Sequence, residues 1–208
     1  MGSFYRRRGK RVLDVVGAVG ALVVSSPIQL VAAVAVRRQM GSPVLFRQKR
    51  PGSGGRPFTL LKFRTMRLPE RGEDSVASDS ERLTPLGRFL RSSSVDELPE
   101  FWNVLRGDMS LVGPRPLLME YLDRYTPEQS RRHEVRPGVT GLAQVLGRNE
   151  TTWEERLRLD SMYIDRFSFM LDLKIIFRTI TVVLAREGIH NPNLQPLHLL
   201  KVATEPNE

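Results

Sequence analysis

Two adjacent carboxylates, Asp96 and Glu97, stand in the run Ser94-Val95-Asp96-Glu97, directly ahead of Leu98, Phe101, Trp102 and Leu105 at helical spacing. Ser-x-x-Glu has the form of a capping box, with Ser94 as N-cap and Glu97 at N3. Both acids are therefore expected in the first turn of a helix, where the macrodipole and free N–H groups favour an ionised carboxylate and a phosphate beside it. An ionised aspartate next to a bound phosphate can attack phosphorus to give an acyl phosphate. The same four residues also suit plain helix capping, so the pattern alone leaves both roles open.

The surroundings favour the chemical role. Arg91 lies five residues before Asp96, and Arg115 is held between Pro114 and Pro116, whose rings restrict the backbone and fix the direction of a bidentate phosphate donor. Lys62 and Arg64 add further cations. Transfer from a diphosphate needs such groups, because its catalysis is largely positioning and charge stabilisation, usually with magnesium. Magnesium takes oxygen ligands and commonly one or two carboxylates, so Glu97 with Asp96 would suffice. Each arginine taken singly also fits a solvated surface.

These residues must be carried by a chain of 208 residues, long enough for one domain with a sizeable core. Cysteine is absent, which excludes disulfides and thiolate metal sites, and the three histidines lack zinc-ligand spacing. The net charge of +9 is unevenly distributed: residues 1–69 hold 14 Lys+Arg and a single acid, Asp14, leaving 18 bases against 22 acids for residues 70–208. A nucleic-acid-binding module would spread its bases through the soluble part, so the pattern points to an anionic lipid surface and to no nucleic acid.

The basic third surrounds an apolar run from Val12 to Val36, in which Asp14 is the one ionisable residue. As a helix it would reach about 37 Å, against about 30 Å of hydrocarbon. Arginines flank both ends, so positive-inside logic favours neither end crossing. Ser25-Ser26-Pro27 lies near the middle; proline frees the carbonyl of Val23 and the serine hydroxyls can re-satisfy it. The expectation is a re-entrant helix–break–helix with its break at Ser26 and Pro27, against the alternatives of a kinked span, a signal peptide or a buried core helix. A multi-pass membrane protein would need several such segments, and one is found here.

Residues 42–67 read as a hairpin around Pro51-Gly52-Ser53-Gly54-Gly55, a glycine cluster without the Gly-Lys-Ser/Thr of a phosphate-binding loop. Residues 69–82 read as a mobile loop. Trp153 to Phe167 reads as an amphipathic helix, and a second runs from Phe169 to before Gly188 with Leu173, Ile176, Phe177, Ile180, Val183 and Leu184 on one face. That face suits the core first and the membrane interface second. Residues 190–208 read as a tail.

Over roughly Lys10 to Gly188 the chain closely resembles the monotopic phosphoglycosyl transferases, also called bacterial sugar transferases. The resemblance rests on KRVLDVVGAV, Ser26-Pro27, LLKFRTM (Leu60–Met66), SVDELPEFWNVLRGDMSLVGPRP (Ser94–Pro116), RPGVTGLAQV (Arg136–Val145) and Asp172-Leu173-Lys174. It implies an α/β monotopic membrane protein: a re-entrant helix over residues 1–38, a helix-rich catalytic domain over 39–189 on the cytosolic face of the bacterial inner membrane, and a tail over 190–208. The reaction implied moves a sugar phosphate from a UDP-sugar to polyprenyl (undecaprenyl) phosphate with loss of UMP, by a ping-pong path through a covalent aspartyl phosphosugar. By motif, Asp96 becomes the nucleophile and Glu97 a magnesium ligand, with Asp96 as a second metal donor. Lys62, Arg64, Arg91, Arg115, Pro116 and Gln144 would handle the substrate, and Asp172 would support the site. Membrane lipids are further partners, and a homodimer is left open. The short chain resembles the catalytic core of larger members.

Overall fold

A computed structural model describes residues 5–69, 79–146 and 152–185, so residues 70–78 of the expected loop, Gly188 and the expected tail lie outside the described residues. After a π-helical turn at Tyr5–Gly9 come α1 (Lys10–Met40), β1 (Leu45–Pro51) and β2 (Pro57–Phe63). Helices α2 (Asp79–Arg82) and α3 (Pro85–Ser92) follow, then a 3-10 turn at Val95–Glu97, α4 (Glu100–Arg106) and β3 (Ser110–Val112). Next are 3-10 turns at Met119–Arg124 and Arg131–His133 around α5 (Pro127–Ser130), then β4 (Gly138–Thr140). The described chain closes with α6 (Leu142–Leu146), α7 (Trp153–Arg166) and α8 (Phe169–Ala185).

Helix dominates, with two small sheets. β1 and β2 form the expected antiparallel hairpin, in register from Leu45 opposite Phe63 to Pro51 opposite Pro57. β3 and β4 pair in parallel, Ser110 with Gly138 and Val112 with Thr140. A Cβ on Gly138 would lie 2.1 Å from the Gly113 nitrogen, so glycine is required for the two backbones to approach this closely. Within the expected loop, Asp79–Arg82 is helical, and Met66 bridges to Leu83.

The apolar run forms one helix that is long and apolar enough to cross a membrane. The expected break does not interrupt it: Pro27 lies inside α1, and no residue from Lys10 to Met40 leaves the helix. The reason is local. Ser26 Oγ donates to the Val23 carbonyl at 2.8 Å, replacing the N–H that proline lacks, and Ser25 Oγ donates to Ala21 at 2.6 Å.

Lys10, Asp14, Ala18, Ser25, Ala32 and Val36 form a buried stripe along α1, while Val12, Val16, Val19, Val23, Leu30 and Val34 are exposed on the opposite face. Both ends of α1 rest on the rest of the chain. Ala18 joins a core with Leu60, Val104, Met109, Leu111, Val112, Tyr163 and Ile175; Ala32 and Val36 join a second with Phe63 and Leu90.

Polar contacts fasten the same two ends. Asp14 accepts from Ser110 Oγ at 2.8 Å and from the Leu111 N–H at 2.9 Å. Fully buried Asp172 on α8 accepts from Lys10 Nζ and Tyr163 Oη, each at 2.7 Å, and from the Tyr5 hydroxyl. Arg64 closes the far end by donating to the carbonyls of Met40, Gly41 and Ser42.

α7 confirms the first amphipathic helix, with Leu157, Leu159, Tyr163 and Ile164 buried. α8 divides its apolar residues: Ile175 is in the core, but Phe177 and Ile180 of the expected face are exposed, as are Phe169 and Met170. Its buried stripe is set by Asp172 and Ile175, because the buried anchor at Asp172 fixes the helix's rotation.

Candidate active site

Asp96 and Glu97 lie in the tight 3-10 turn between α3 and α4, and the capping box expected of Ser94 is not formed. Ser94 adopts φ 56° and its side chain caps nothing, while α4 begins after Pro99. Proline suits a helix start, with φ already fixed and no N–H to leave unpaired, so it takes the boundary five residues late. The Glu97 and Leu98 N–H groups are occupied by the carbonyls of Ser94 and Val95. The carboxylates are therefore positioned by side chains around them.

Each neighbour is fixed locally. Thr84 caps α3 by accepting from the Gly87 N–H at 2.9 Å. A Cβ on Gly87 would lie 1.8 Å from the Thr65 carbonyl oxygen, so glycine lets α3 press against the chain just beyond β2. That contact sets Arg91, whose Nε donates to Thr65 Oγ1 at 3.1 Å. Lys62 projects from β2 to Glu97 at 2.6 Å and to Glu100 at 3.1 Å. Arg115 follows the Gly113–Gly138 contact and grips Glu97 with both guanidinium nitrogens, Nη1 at 3.4 Å and Nη2 closer.

Electrostatics separate the three acids. Burial pushes Asp96 up to about 6; the Glu97 charge adds to the rise, and Lys62, Arg115 and Arg91 oppose it. Burial also disfavours the Glu97 charge, but the cations of Arg115 and Lys62 outweigh it and hold Glu97 well below the usual carboxylate range. Glu100 is raised to about 7 by burial and by the Glu97 charge. Near neutral pH, Glu97 is thus a fixed anion between two cations, and Asp96 is an ionised but poorly solvated carboxylate. A carboxylate in that state is more nucleophilic than one in water.

Asp96, Glu97, Lys62, Arg91 and Arg115 line an open cleft of about 1560 Å³ together with Phe46, Gln48, Arg50, Gln144, Arg156 and Arg178. Ser25 and Ile28 of α1 line it as well, so the cleft reaches the apolar helix.

Of the residues singled out from sequence, Asp96, Glu97, Lys62, Arg91, Arg115 and Gln144 come together in this cleft. The Gln144 amide nitrogen and oxygen are both buried without a partner. Arg64 also lines the cleft, yet its guanidinium is taken up by the end of α1. Pro116 is not among the lining residues; its carbonyl accepts from Arg50 at 3.4 Å. Asp172 is likewise outside the lining and supports the fold through Lys10, Tyr5 and Tyr163.

Sequence reasoning missed Glu100, the cleft-lining Arg50, Arg156 and Arg178, and Arg132, which donates to the Arg115 carbonyl at 2.7 Å. Glu100 carried a readable signal, one helical step from Glu97. The arginines carried none, since they arrive from β1, a 3-10 turn, α7 and α8.

Asp96 and Glu97 are the carboxylates on the cleft wall that could offer oxygens to magnesium, and both Glu97 oxygens already accept from Lys62 or Arg115. Among the described residues no group of three or more His, Cys, Asp or Glu side chains is arranged to hold a metal ion.

The bacterial sugar transferase family model matches residues 5–186. A sugar transferase of Bacillus subtilis (strain 168), EpsL, is 52% identical over 184 residues, covering 88% of this chain and 91% of that relative. The UDP-glucose:undecaprenyl-phosphate glucose-1-phosphate transferase of Caulobacter vibrioides is 44% identical over 191 residues, covering 87% of this chain and 72% of that relative. The UDP-N-acetylgalactosamine-undecaprenyl-phosphate N-acetylgalactosaminephosphotransferase of Aeromonas hydrophila is 40% identical over 187 residues, covering 86% of this chain and 44% of the relative. With these matches spanning nearly the whole described chain, the protein belongs to the bacterial sugar transferase family and is a phosphoglycosyl transferase.

Proposed function

We propose that this enzyme transfers a sugar phosphate from a UDP-sugar to undecaprenyl phosphate, releasing UMP, with Asp96 as nucleophile. It would catalyse the first membrane step of a glycoconjugate or exopolysaccharide pathway. The observation that carries the reading is the cleft itself: Asp96 lies there beside Glu97, Lys62, Arg91 and Arg115, and the same cleft is lined by Ser25 and Ile28 of the apolar helix. A water-soluble donor and a lipid acceptor can meet in it.

In the first step a carboxylate oxygen of Asp96 attacks the phosphorus attached to the sugar. The bond from that phosphorus to the UMP oxygen breaks, and UMP leaves with the electron pair. In the second step a phosphate oxygen of the polyprenyl phosphate attacks the same phosphorus. The acyl phosphate bond breaks and the Asp96 carboxylate returns. Arg115, Lys62 and Arg91 neutralise the oxygens on which charge gathers. Glu97 holds Arg115 and Lys62 in position before substrate arrives. Magnesium, held by Glu97 and Asp96 with diphosphate oxygens, would supply further charge neutralisation and orientation.

A monotopic topology belongs to this reading. Both ends of α1 pack on the same catalytic unit, through Asp14 and Ala18 at one end and Ala32, Val36 and Arg64 at the other. A straight span would carry those ends to opposite sides of the bilayer. A bend at Pro27 within the continuous helix would let α1 enter and leave by one leaflet and keep the cleft on the cytosolic face of the inner membrane, where UDP-sugars are made.

The test is a single half-reaction. A UDP-sugar panel without acceptor should release UMP in amounts no larger than the enzyme present, and intact-protein mass should rise by one phosphosugar. Turnover without any such adduct would refute the covalent path.

A further inference from the structure

Alternation along the hairpin gives it two different faces. Phe46, Gln48, Arg50 and Lys62 face the catalytic cleft, whereas Leu45, Arg47, Thr59 and Leu61 line a separate groove with Trp102 and Arg106 of α4. This second groove has a volume of about 520 Å³, and none of its lining residues is acidic.

Its composition is that of an anion site with an aromatic wall. Among the described residues neither the Arg47 nor the Arg106 guanidinium has a hydrogen-bond or ion-pair partner. Trp102 is 50% exposed, while Phe101 and Leu105 of the same helix are packed against the core. Two free cations and a half-exposed indole on one concave surface leave a site without an internal occupant.

The groove also lies beside the apolar helix at both of its ends. Arg11 of α1 donates to the carbonyls of Val104 at 2.6 Å and Leu105 at 2.8 Å, which ties the end of α4 bearing Arg106 to the start of α1. Leu45 begins β1 just after α1 ends, where Arg64 fastens the Met40 and Gly41 carbonyls. A tryptophan with arginines next to a membrane-embedded helix suits the headgroup layer, where the ring meets the acyl boundary and the cations meet phosphate.

We propose that this groove binds the phosphate headgroup of an anionic phospholipid, with Arg47 and Arg106 on the phosphate and Trp102 against the glycerol and first acyl carbons. The site is distinct from the reaction cleft, because its residues stand on the opposite face of the hairpin. It would hold the catalytic unit at a fixed depth and tilt relative to the bilayer. The inference relies on α1 being membrane-embedded and not on the identity of the nucleophile.

The chain has two tryptophans, Trp102 and Trp153, so Trp153→Phe leaves Trp102 as a sole reporter. That variant is reconstituted into phosphatidylcholine nanodiscs containing a small fraction of either brominated phosphatidylglycerol or brominated phosphatidylcholine. Quenching should show the anionic lipid enriched around Trp102 on the order of tenfold, as expected for two basic residues at a charged surface. The preference should shrink at high salt, and Arg47→Ala with Arg106→Ala should remove it while donor-dependent UMP release persists. Equal quenching by both lipids would overturn the proposal. So would a preference that survives the double substitution, or a Trp102 that neither lipid quenches, which would mean that the groove faces water or another protein.

Discussion

Arg132 Nη2 donates to the main-chain carbonyl of Arg115 across 2.7 Å, while the same guanidinium pairs with Asp160 at 2.9 Å. The pair is enclosed, and Arg132 Nη1 also donates to Tyr125 Oη at 3.1 Å. Arg132 thus fixes the backbone of the residue whose side chain grips Glu97. Arg132→Lys keeps the charge but loses the fork, and a displacement of about 1 Å at Arg115 can cost on the order of a hundredfold in rate. Steady-state kinetics on a folded variant should show a fall of tenfold or more in kcat, on the order of that estimate. Unchanged kcat and KM would mean that Arg115 holds itself in place.

Asp96, raised to about 6, yields two linked expectations. The half-reaction needs the ionised form, so single-turnover UMP release should be constant above pH 7 and fall as pH drops through about 6. Ionising a carboxyl whose folded value is raised costs stability. That stability is fully present below the unfolded value and lost as pH rises through about 6. Asp96→Asn should therefore abolish activity yet raise stability at pH 7.5, by about 2–3 kcal/mol at most, with no gain below pH 4. A variant that is both active and less stable would make Asp96 a structural acid.

Glu97 carries the charge that orders Lys62 and Arg115. Glu97→Gln removes it and one oxygen donor, so activity should fall at least a hundredfold, in the range seen when one transition-state contact is lost. The magnesium concentration needed for half-activity should also rise. Wild-type turnover that continues in excess chelator would remove the metal from the scheme.

The anchor at Asp172 should register in stability before activity. Asp172→Asn keeps a partner for the Tyr5 and Tyr163 hydroxyls but leaves Lys10 without its counter-charge. Breaking one side of a buried pair costs about 3–5 kcal/mol. Thermal unfolding in detergent should shift down accordingly, and the KM for the UDP-sugar should stay close to wild type in the folded fraction. A selective rise in that KM would bring Asp172 back to the substrate.

Because the chain lacks cysteine, single cysteines at Arg8 and Ser42 report sidedness directly. Both positions are exposed at the two ends of α1. In oriented inner-membrane vesicles both should react with an impermeant thiol reagent from the cytosolic side. Opposite labelling would make α1 a span and sink the monotopic reading.

The residues that meet in the cleft were legible in the sequence because they sit in short runs with strong local constraints. Asp96-Glu97, Pro114-Arg115-Pro116 and the basic-flanked apolar segment each announce charge, rigidity or membrane affinity within a few residues.

What tertiary structure alone decided is everything that depends on competition between local signals or on distant partners. Ser94 fits a capping box, but Pro99 holds the stronger helix start, and Ser94 bends into the left-handed region instead. Pro27 reads as a break, yet the Ser26 hydroxyl replaces the missing donor and α1 continues. Arg64 was indistinguishable from its neighbours in sequence, and only the nearby end of α1 makes it a cap for Met40 and Gly41. The apolar residues of α8 gave its period but not its rotation, which the buried bond from Lys10 to Asp172, 162 residues apart, sets. A linear pattern encodes the faces of an element; which face meets which neighbour depends on contacts that fold in from far along the chain.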